Sequence, residues 1–373
     1  MTDLTSLAVP AADVFDLDAM LDDLRTLVEI ESPSLDVEAV TASAEALAAM
    51  IERHLGGSAE LVDSPVGPHV HWSGGGEPQV LLLGHHDTVF PMGTLAERPF
   101  DVRDGVATGP GVFDMLGGIV QALHGLSRLA DTSGVELLFS ADEEVGSHHS
   151  RDLIEERARA CGNVLVLEPS ATGGGLKTGR KGCGTFEVVV GGRAAHAGLE
   201  PENGVNALVE AARQVLVIDG IGRPELGTTV TPTVATAGTT DNVVPAEARI
   251  RVDVRIESAD EKARVESEMR ALTAGHPEAT IEVLGEIGRP PMPESASASL
   301  FPLAEMVAPG VAGHAVGGGS DGNFTAAIGV PTLDGLGAVG GGAHATTEHV
   351  VVSTMPERAA LIANLVAAVL DRG

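Results

Sequence analysis

Val80-Leu81-Leu82-Leu83-Gly84-His85-His86-Asp87-Thr88 is the stretch whose reading decides the fold. Its apolar run is too short for a helix and ends abruptly in polar side chains, as expected of a buried strand that delivers polar groups at its carboxyl end. The same grammar recurs twice: an apolar run at 135–139 leads to Asp142, and one at 164–167 leads to Glu168. A helical stretch at 119–129 lies between the first two runs, so strand and helix alternate as in an α/β sheet covered on both faces. Ligands bind such sheets beyond the carboxyl ends of the strands, where the His, Asp and Glu residues of these segments fall.

Outward from this centre the pattern stays regular. Upstream, Leu17, Met20, Leu21, Leu24, Leu27 and Val28 recur at helical spacing, as do Val40, Ala44, Leu47, Ile51 and Leu55 before the stop at Gly56-Gly57. Downstream of Glu168, Ala171-Thr172-Gly173-Gly174-Gly175 marks a shift in composition, and a second block opens near Gly179. Strands are expected there at 185–190, 229–234, 248–256 and 280–284, with helices at 205–217 and 261–272. That order is a split βαβ, ferredoxin-like α+β unit with helices on one face. It ends at Arg289-Pro290-Pro291, after which a helix at 355–370 returns to the first unit. The expected division is a catalytic domain of residues 1–178 and 290–373, interrupted by an inserted domain of residues 179–289.

The chain has 373 residues and a formal net charge of −30, which excludes a nucleic-acid binder held by a general basic surface. Hydrophobic residues make up 43 % of it, enough for a large core and against disorder. Tyr is absent, and one Trp and eight Phe leave few stacking platforms, so Ala, Val and Leu must fill the interior. No apolar run approaches the roughly 20 residues that span a bilayer. Cys161 and Cys183 are too few for a disulfide framework, and Asp3 stands where a leader would carry basic residues. The expectation is a reduced, cytoplasmic protein with no membrane partner.

Five motifs carry candidate chemistry: Gly84-His85-His86-Asp87-Thr88, Gly109 to Gly118 around Asp114, Asp142-Glu143-Glu144-Val145-Gly146-Ser147, Glu168-Pro169, and Gly342-Ala343-His344-Ala345-Thr346-Thr347-Glu348. Singly, each has an ordinary structural reading: a helix N-cap for Asp114, a solvated acidic turn for 142–144, an exposed strand end for Glu168, an inert loop imidazole for His344. Together they place two His and three or four carboxylates at one sheet edge, a donor set suited to two borderline divalent ions bridged by one carboxylate. Two such ions about 3.5 to 4 Å apart polarise a carbonyl and acidify a shared water, while a carboxylate outside their shell accepts the proton. Glu143 and Glu144 offer that division of labour.

In these motifs and their order the sequence resembles the M20 family of dinuclear zinc hydrolases, from about Leu24 to the C-terminus. The resemblance implies a mixed sheet flanked by helices with an inserted lid and dimerisation domain. It implies two Zn²⁺ per subunit, with Co²⁺ or Mn²⁺ as substitutes. His85 and Glu168 would bind one ion, Glu144 and His344 the other, and Asp114 both; Asp87 would orient His85, and Glu143 would be the general base. His196, in Gly192-Arg193-Ala194-Ala195-His196-Ala197-Gly198, is similar to the family's oxyanion-stabilising lid histidine. Asn242 and Arg255 resemble the residues that grip a substrate carboxylate, for which the planar fork of Arg is suited. Leu116 departs from the family, many of whose members have Lys there. His148 and His149 stand where relatives often have small residues, and His86, which should point away from its neighbours along a strand, has no assigned role.

Gly319-Ser320-Asp321 and the Gly288-Arg289-Pro290-Pro291-Met292 junction resemble the glutamate-carboxypeptidase branch. The implied reaction is hydrolysis of an amide or peptide bond beside a free carboxylate; the alternative is an N-acyl-amino-acid deacylase using the same site. The implied partners are a small peptide or N-acyl amino acid and a second copy of the chain. A non-catalytic binding protein on this scaffold would be expected to lack a donor or the base, and all of them are present.

Overall fold

The computed structural model describes residues 10–372; Asp3 lies outside them. The described chain packs as two compact units, one of residues up to Gly179, Glu294–Val316 and from Ser320 onward, the other of Arg180–Pro293 and Gly317–Gly319.

The larger unit is built on a six-stranded mixed sheet in the order Glu60–Val62, His69–Ser73, Val135–Ser140, Val80–His85, Val164–Val166, Thr332–Leu333. Val80–His85 runs parallel to both Val135–Ser140 and Val164–Val166, with His85 opposite Ser140 and Leu83 opposite Val166. Three strands therefore end at one edge. Both faces are covered, and the side chains of a single strand divide between them: Val80 and Leu82 join the core packed under helices Leu17–Val28, Val37–Leu55, Gly117–Leu126 and Met355–Leu370, whereas Leu81 and Leu83 join Ile154 and Ala158 of helix Arg151–Cys161. The helix read at 119–129 spans Gly117–Leu126. Its first turn lies so close to the sheet that a Cβ at Gly118 would fall 2.2 Å from the Leu167 carbonyl oxygen. Leu116 is buried in the same core, so apolar packing occupies that position.

Two antiparallel strands, Glu60–Val62 and His69–Ser73, extend the sheet and were not legible in the sequence. A polar residue, His69, occupies a buried position there and breaks the apolar run. A small sheet of Gly340–Gly341, His349–Val351, Val106–Thr108 and Asp101–Arg103 supports the loops that carry Asp114 and His344.

The smaller unit has the order strand Gly182–Gly191, helix Ala207–Asp219, strands Thr229–Ala237 and Glu247–Ile256, helix Ala259–Arg270, strand Thr280–Arg289. Its sheet is antiparallel, with the second strand at one edge, then the third, first and fourth. Glu247–Ile256 alternates exposed and buried along its first half, and Ile250, Val252 and Val254 join Ala207, Ala211, Val265 and Met269 of the two helices in one core. Among the described residues no helix is long and apolar enough to cross a membrane.

Candidate active site

The carboxyl ends of the three parallel strands and two supporting loops bring His85, Asp114, Glu143, Glu144, Glu168 and His344 together. His85 is the last residue of its strand, Glu143 and Glu144 open a single 3₁₀ turn after Val135–Ser140, and Glu168 follows Val164–Val166 by two positions. Asp114 is central. Its Oδ1 lies 3.3 Å from His85 Nε2 and its Oδ2 lies 3.3 Å from His344 Nε2. Each imidazole has a second carboxylate beside it: Glu168 Oε1 at 3.6 Å from His85 and Glu144 Oε2 at 3.1 Å from His344. Donor atoms of His85, Asp114 and Glu144 lie within 4.8 Å of one another, and so do those of His85, Glu143 and Glu168. Lys177, which the sequence did not single out, points its Nζ at Glu168 Oε2 from 3.9 Å.

Four carboxylates surround two imidazoles, and the electrostatics follow. Burial opposes a charge on His85, but bonds to Asp114, Asp87 and Glu168 carry its pKa well above the ordinary value. His344 is raised to about 10 by Asp114 and Glu144. Asp114 is held low in spite of burial by bonds from His344 and His85. Glu144 is pushed up by burial, and Asp114 adds to this. Its Oε1 is buried without a hydrogen-bond partner, an arrangement that costs free energy unless a cation or donor is supplied. Imidazole nitrogen and carboxylate oxygen are the donors that borderline divalent ions select, so the residues fit such ions.

A further layer of bonds fixes the donors. His85 Nδ1 is 2.9 Å from the main-chain oxygen of Asp87 and 3.5 Å from its carboxylate Oδ1, so Asp87 meets the imidazole mainly through its backbone. The Asp87 carboxylate instead accepts from Ser34 Oγ at 2.6 Å and from the N–H groups of Glu143 and Glu144 at 3.2 and 3.3 Å. Asp87 thus ties the turn bearing both glutamates to the strand end bearing His85. Glu348 does the equivalent work for Asp114. Fully buried, it accepts from the N–H groups of Gly111, Phe113 and Asp114 at 2.9 to 3.0 Å, with Arg98 at 3.4 Å. Neither Ser34 nor Glu348 was assigned from the sequence, where Glu348 stands simply as a carboxylate four residues beyond His344. His86 turns away, Nδ1 to Ser43 and Nε2 to the Pro68 carbonyl, and burial depresses its pKa to about 4. His148 and His149 are exposed.

His196, Asn242 and Arg255 belong to the smaller unit. The main-chain N–H of Ala197 donates to the Asn242 carbonyl at 2.9 Å, which joins the two loops. His196 is exposed, and its Nδ1 accepts from the N–H groups of Gly198 and Leu199, both at 3.1 Å. With Nδ1 used as acceptor, the neutral ring carries its proton on Nε2 and presents a donor outward. The Arg255 fork is bound by Asp253, Nε to Oδ1 at 3.0 Å and Nη2 to Oδ2 at 2.9 Å. Arg180 and Lys181, adjacent cations of the same unit, bond main-chain carbonyls: Arg180 those of Gly318 and Gly319, Lys181 that of Gly227.

A mixed α/β sheet with paired His–carboxylate sets at its carboxyl edge defines a hydrolase of the metallopeptidase class, acting on peptide or amide bonds. The chain belongs to peptidase family M20/M25/M40, whose model matches residues 81–368. It is 36 % identical over 371 residues to carboxypeptidase G2 of Pseudomonas sp. (strain RS-16), covering 93 % of this chain and 88 % of the relative. It is 28 % identical over 337 residues to the succinyl-diaminopimelate desuccinylase of Xanthomonas oryzae pv. oryzae, covering 79 % and 84 %. Its fold is similar to that of the M20 family metallo-carboxypeptidase Sso-CP2 from Sulfolobus solfataricus, with a TM-score of 0.74, 17 % identity, and coverage of 94 % of this chain and 99 % of that one.

Proposed function

We propose that the protein is a zinc-dependent carboxypeptidase that hydrolyses an amide or peptide bond beside a free carboxylate, of the glutamate-carboxypeptidase kind. The observation that carries the reading is Asp114, whose two oxygens face two separate imidazoles, each with its own second carboxylate. In this reading His85 and Glu168 would hold one Zn²⁺, Glu144 and His344 would hold the other, and Asp114 would serve both; Co²⁺ or Mn²⁺ would substitute. Ions bound there would supply Lewis acidity to the scissile carbonyl and to the attacking water. Glu143 takes the proton of that water and returns it to the leaving nitrogen. Asp87 holds the turn that presents it. His196 donates its Nε2–H to the oxyanion as the carbonyl becomes tetrahedral. Asn242 and Arg255 bind the free carboxylate, for which Arg255 exchanges its Asp253 partner for substrate.

The block from 179 to 289 acts in this reading as lid and dimerisation domain. Support for a homodimer comes from Leu208, Val209, Leu216 and Val217, apolar and exposed on helix Ala207–Asp219, and from Thr229–Ala237, the strand at the edge of the sheet. Exposed apolar stripes beside an open strand edge are the surfaces that pairing buries. Cys161 and Cys183 form no disulfide, in keeping with a cytoplasmic enzyme. The likeness to a desuccinylase favours a second reading, an N-acyl-amino-acid deacylase with the same machinery.

Metal analysis and a substrate panel test both readings. The purified protein should hold two zinc ions per chain at the site of His85, Asp114, Glu144, Glu168 and His344, and cleave peptides and N-acyl conjugates ending in glutamate faster than N-acetyl or N-succinyl amino acids. Faster deacylation selects the second reading, and near-zero zinc under replete conditions overturns both.

A further inference from the structure

A second cluster of metal-binding side chains lies in the larger unit and shares no residue with the site above. Asp23 of helix Leu17–Val28, His54 near the end of helix Val37–Leu55 and His124 of helix Gly117–Leu126 converge where these helices meet. His54 Nε2 is 2.7 Å and His124 Nε2 2.9 Å from the same oxygen, Asp23 Oδ2. The rings are tilted by 50° with centroids 4.4 Å apart, so they meet through their Nε2 edges instead of stacking. One donor atom from each residue lies within 4.8 Å of the other two. Asp23 and His124 are buried, and the His54 side chain keeps 16 % exposure.

We propose that Asp23, His54 and His124 form a structural transition-metal site that takes Zn²⁺ and clamps the three helices together. Two imidazoles and a carboxylate are a donor set for zinc, with water completing a tetrahedron on the partly exposed side of His54. Metal–ligand bonds of about 2.0 Å set tetrahedral donors about 3.3 Å apart. The observed 2.7 and 2.9 Å separations must therefore widen by roughly half an ångström, which the partly exposed His54 at its helix end allows. Without the ion each imidazole donates Nε2–H to Asp23 Oδ2. On binding, Asp23 Oδ2 and the two Nε2 lone pairs go to the metal, and each Nε2 proton is exchanged through solvent to Nδ1. Arg53 already bonds the other carboxylate oxygen, Oδ1, which makes Asp23 a monodentate ligand. Its guanidinium, on a side chain 57 % exposed, opposes the ion by charge and can turn to water. Soft thiolate-selective ions and hard cations such as Mg²⁺ and Ca²⁺ are poorly matched to this set. His124 lies seven residues, about 10 Å, along the helix that begins three residues after Asp114, so the clamp braces the helix following the catalytic loop.

The test compares whole chains that differ only at this cluster, so its outcome does not depend on the role given to the catalytic donors. Metal-stripped wild type, His54→Ala, His124→Asn and Arg53→Ala are titrated with Zn²⁺ alone and with Co²⁺ alone, with folding checked by circular dichroism. Wild type should bind one ion more per chain than His54→Ala or His124→Asn, and the extra Co²⁺ should add visible bands of tetrahedral intensity. Arg53→Ala should keep the extra ion and bind it several-fold more tightly. At saturating zinc, kcat of the His54 variant should stay within about two-fold of wild type, while its Tm no longer rises at the last equivalent of zinc. Should His124→Asn not fold, His54→Ala, at the less buried imidazole, carries the comparison alone. Equal stoichiometry in wild type and His54→Ala overturns the proposal and leaves Asp23 as a hydrogen-bonding hub of three helices.

Discussion

The donors of the larger unit and the recognition residues of the smaller one are held in opposite ways. His85, Asp87 and Glu348 are almost wholly buried, and each bonds another segment of the chain: His85 the Asp114 carboxylate, Asp87 the Glu143 N–H, and Glu348 the Gly111 N–H. The His196 ring is exposed and bonded to N–H groups of its own loop, and Arg255 is gripped by a neighbour two positions away on one strand. Groups that must stand in one place under mutual repulsion need support from the whole fold, because four carboxylates do not gather unaided. Groups that greet a substrate need a fixed tautomer or a fork and the freedom to exchange partners. Substitutions in the first region should therefore remove chemistry or metal outright, and those in the second should change rate or affinity while the metal content stays constant.

Glu143→Ala is expected to have the largest effect on turnover. It removes the proposed base without removing a proposed ligand, so kcat should fall by roughly 10³-fold with both ions retained. Atomic spectroscopy on the purified variant decides: loss of an ion together with activity moves Glu143 into the metal shell. Asp114→Ala is the contrast, and should empty at least one site.

His196→Ala comes next, with a fall in kcat of about 10² to 10³-fold and unchanged zinc. Mixing this variant with Glu143→Ala sharpens the comparison. If His196 serves the partner's site, hybrid dimers regain activity; if no activity returns although subunits demonstrably exchange, it acts in its own subunit or not at all.

Glu348→Gln tests whether the larger unit's rigidity comes from bonds to main chain. The carboxylate accepts from three N–H groups around Asp114, and a carboxamide would set its own NH₂ against one of those donors. Zinc affinity, measured against a competing chelator, should weaken by roughly 10- to 100-fold. An unchanged affinity would mean that the loop is held by its packing alone.

What the sequence made legible divides along the same line. His85, Asp114, Glu143, Glu144, Glu168 and His344 sit in short motifs beside apolar runs, so their types and positions are readable before folding. The smaller sheet was legible because Ile250, Val252 and Val254 alternate with exposed residues, although its outer strands run farther than expected, to Ala237 and Arg289, where the apolar alternation fades. Glu348 was not legible because what it binds is main chain, which has no sequence signature and, for Gly111, lies 237 positions away; Ser34 was not legible because the Asp87 carboxylate it bonds lies 53 positions away and a lone serine carries no motif. The bonding of Arg255 was hidden for a different reason: Asp253 and Arg255 share a strand face at period two, and nothing in the pattern says whether such a pair is an end in itself or a resting partner for a carboxylate yet to arrive.

Arg255→Lys addresses that last ambiguity, with the smallest expected effect. Lysine keeps the charge and can still pair with Asp253, but it loses the planar fork that holds both oxygens of a carboxylate. The pair is about one-third exposed on each side, so breaking it costs little. KM for a substrate with a free carboxylate should rise several-fold to tenfold at nearly constant kcat, while the carboxamide analogue, which never used the fork, should be hydrolysed at its wild-type, already poor, efficiency. The net charge of −30 supplies an internal control. Long-range repulsion of an anionic substrate is screened by salt, so added salt should leave wild-type kcat/KM for it level or modestly raised, and the Lys variant should show the same salt response from a lower starting value. Equal loss for acid and amide substrates would make Arg255 a structural partner of Asp253, and carboxylate recognition would then have to rest on Asn242 and on cations such as Lys177.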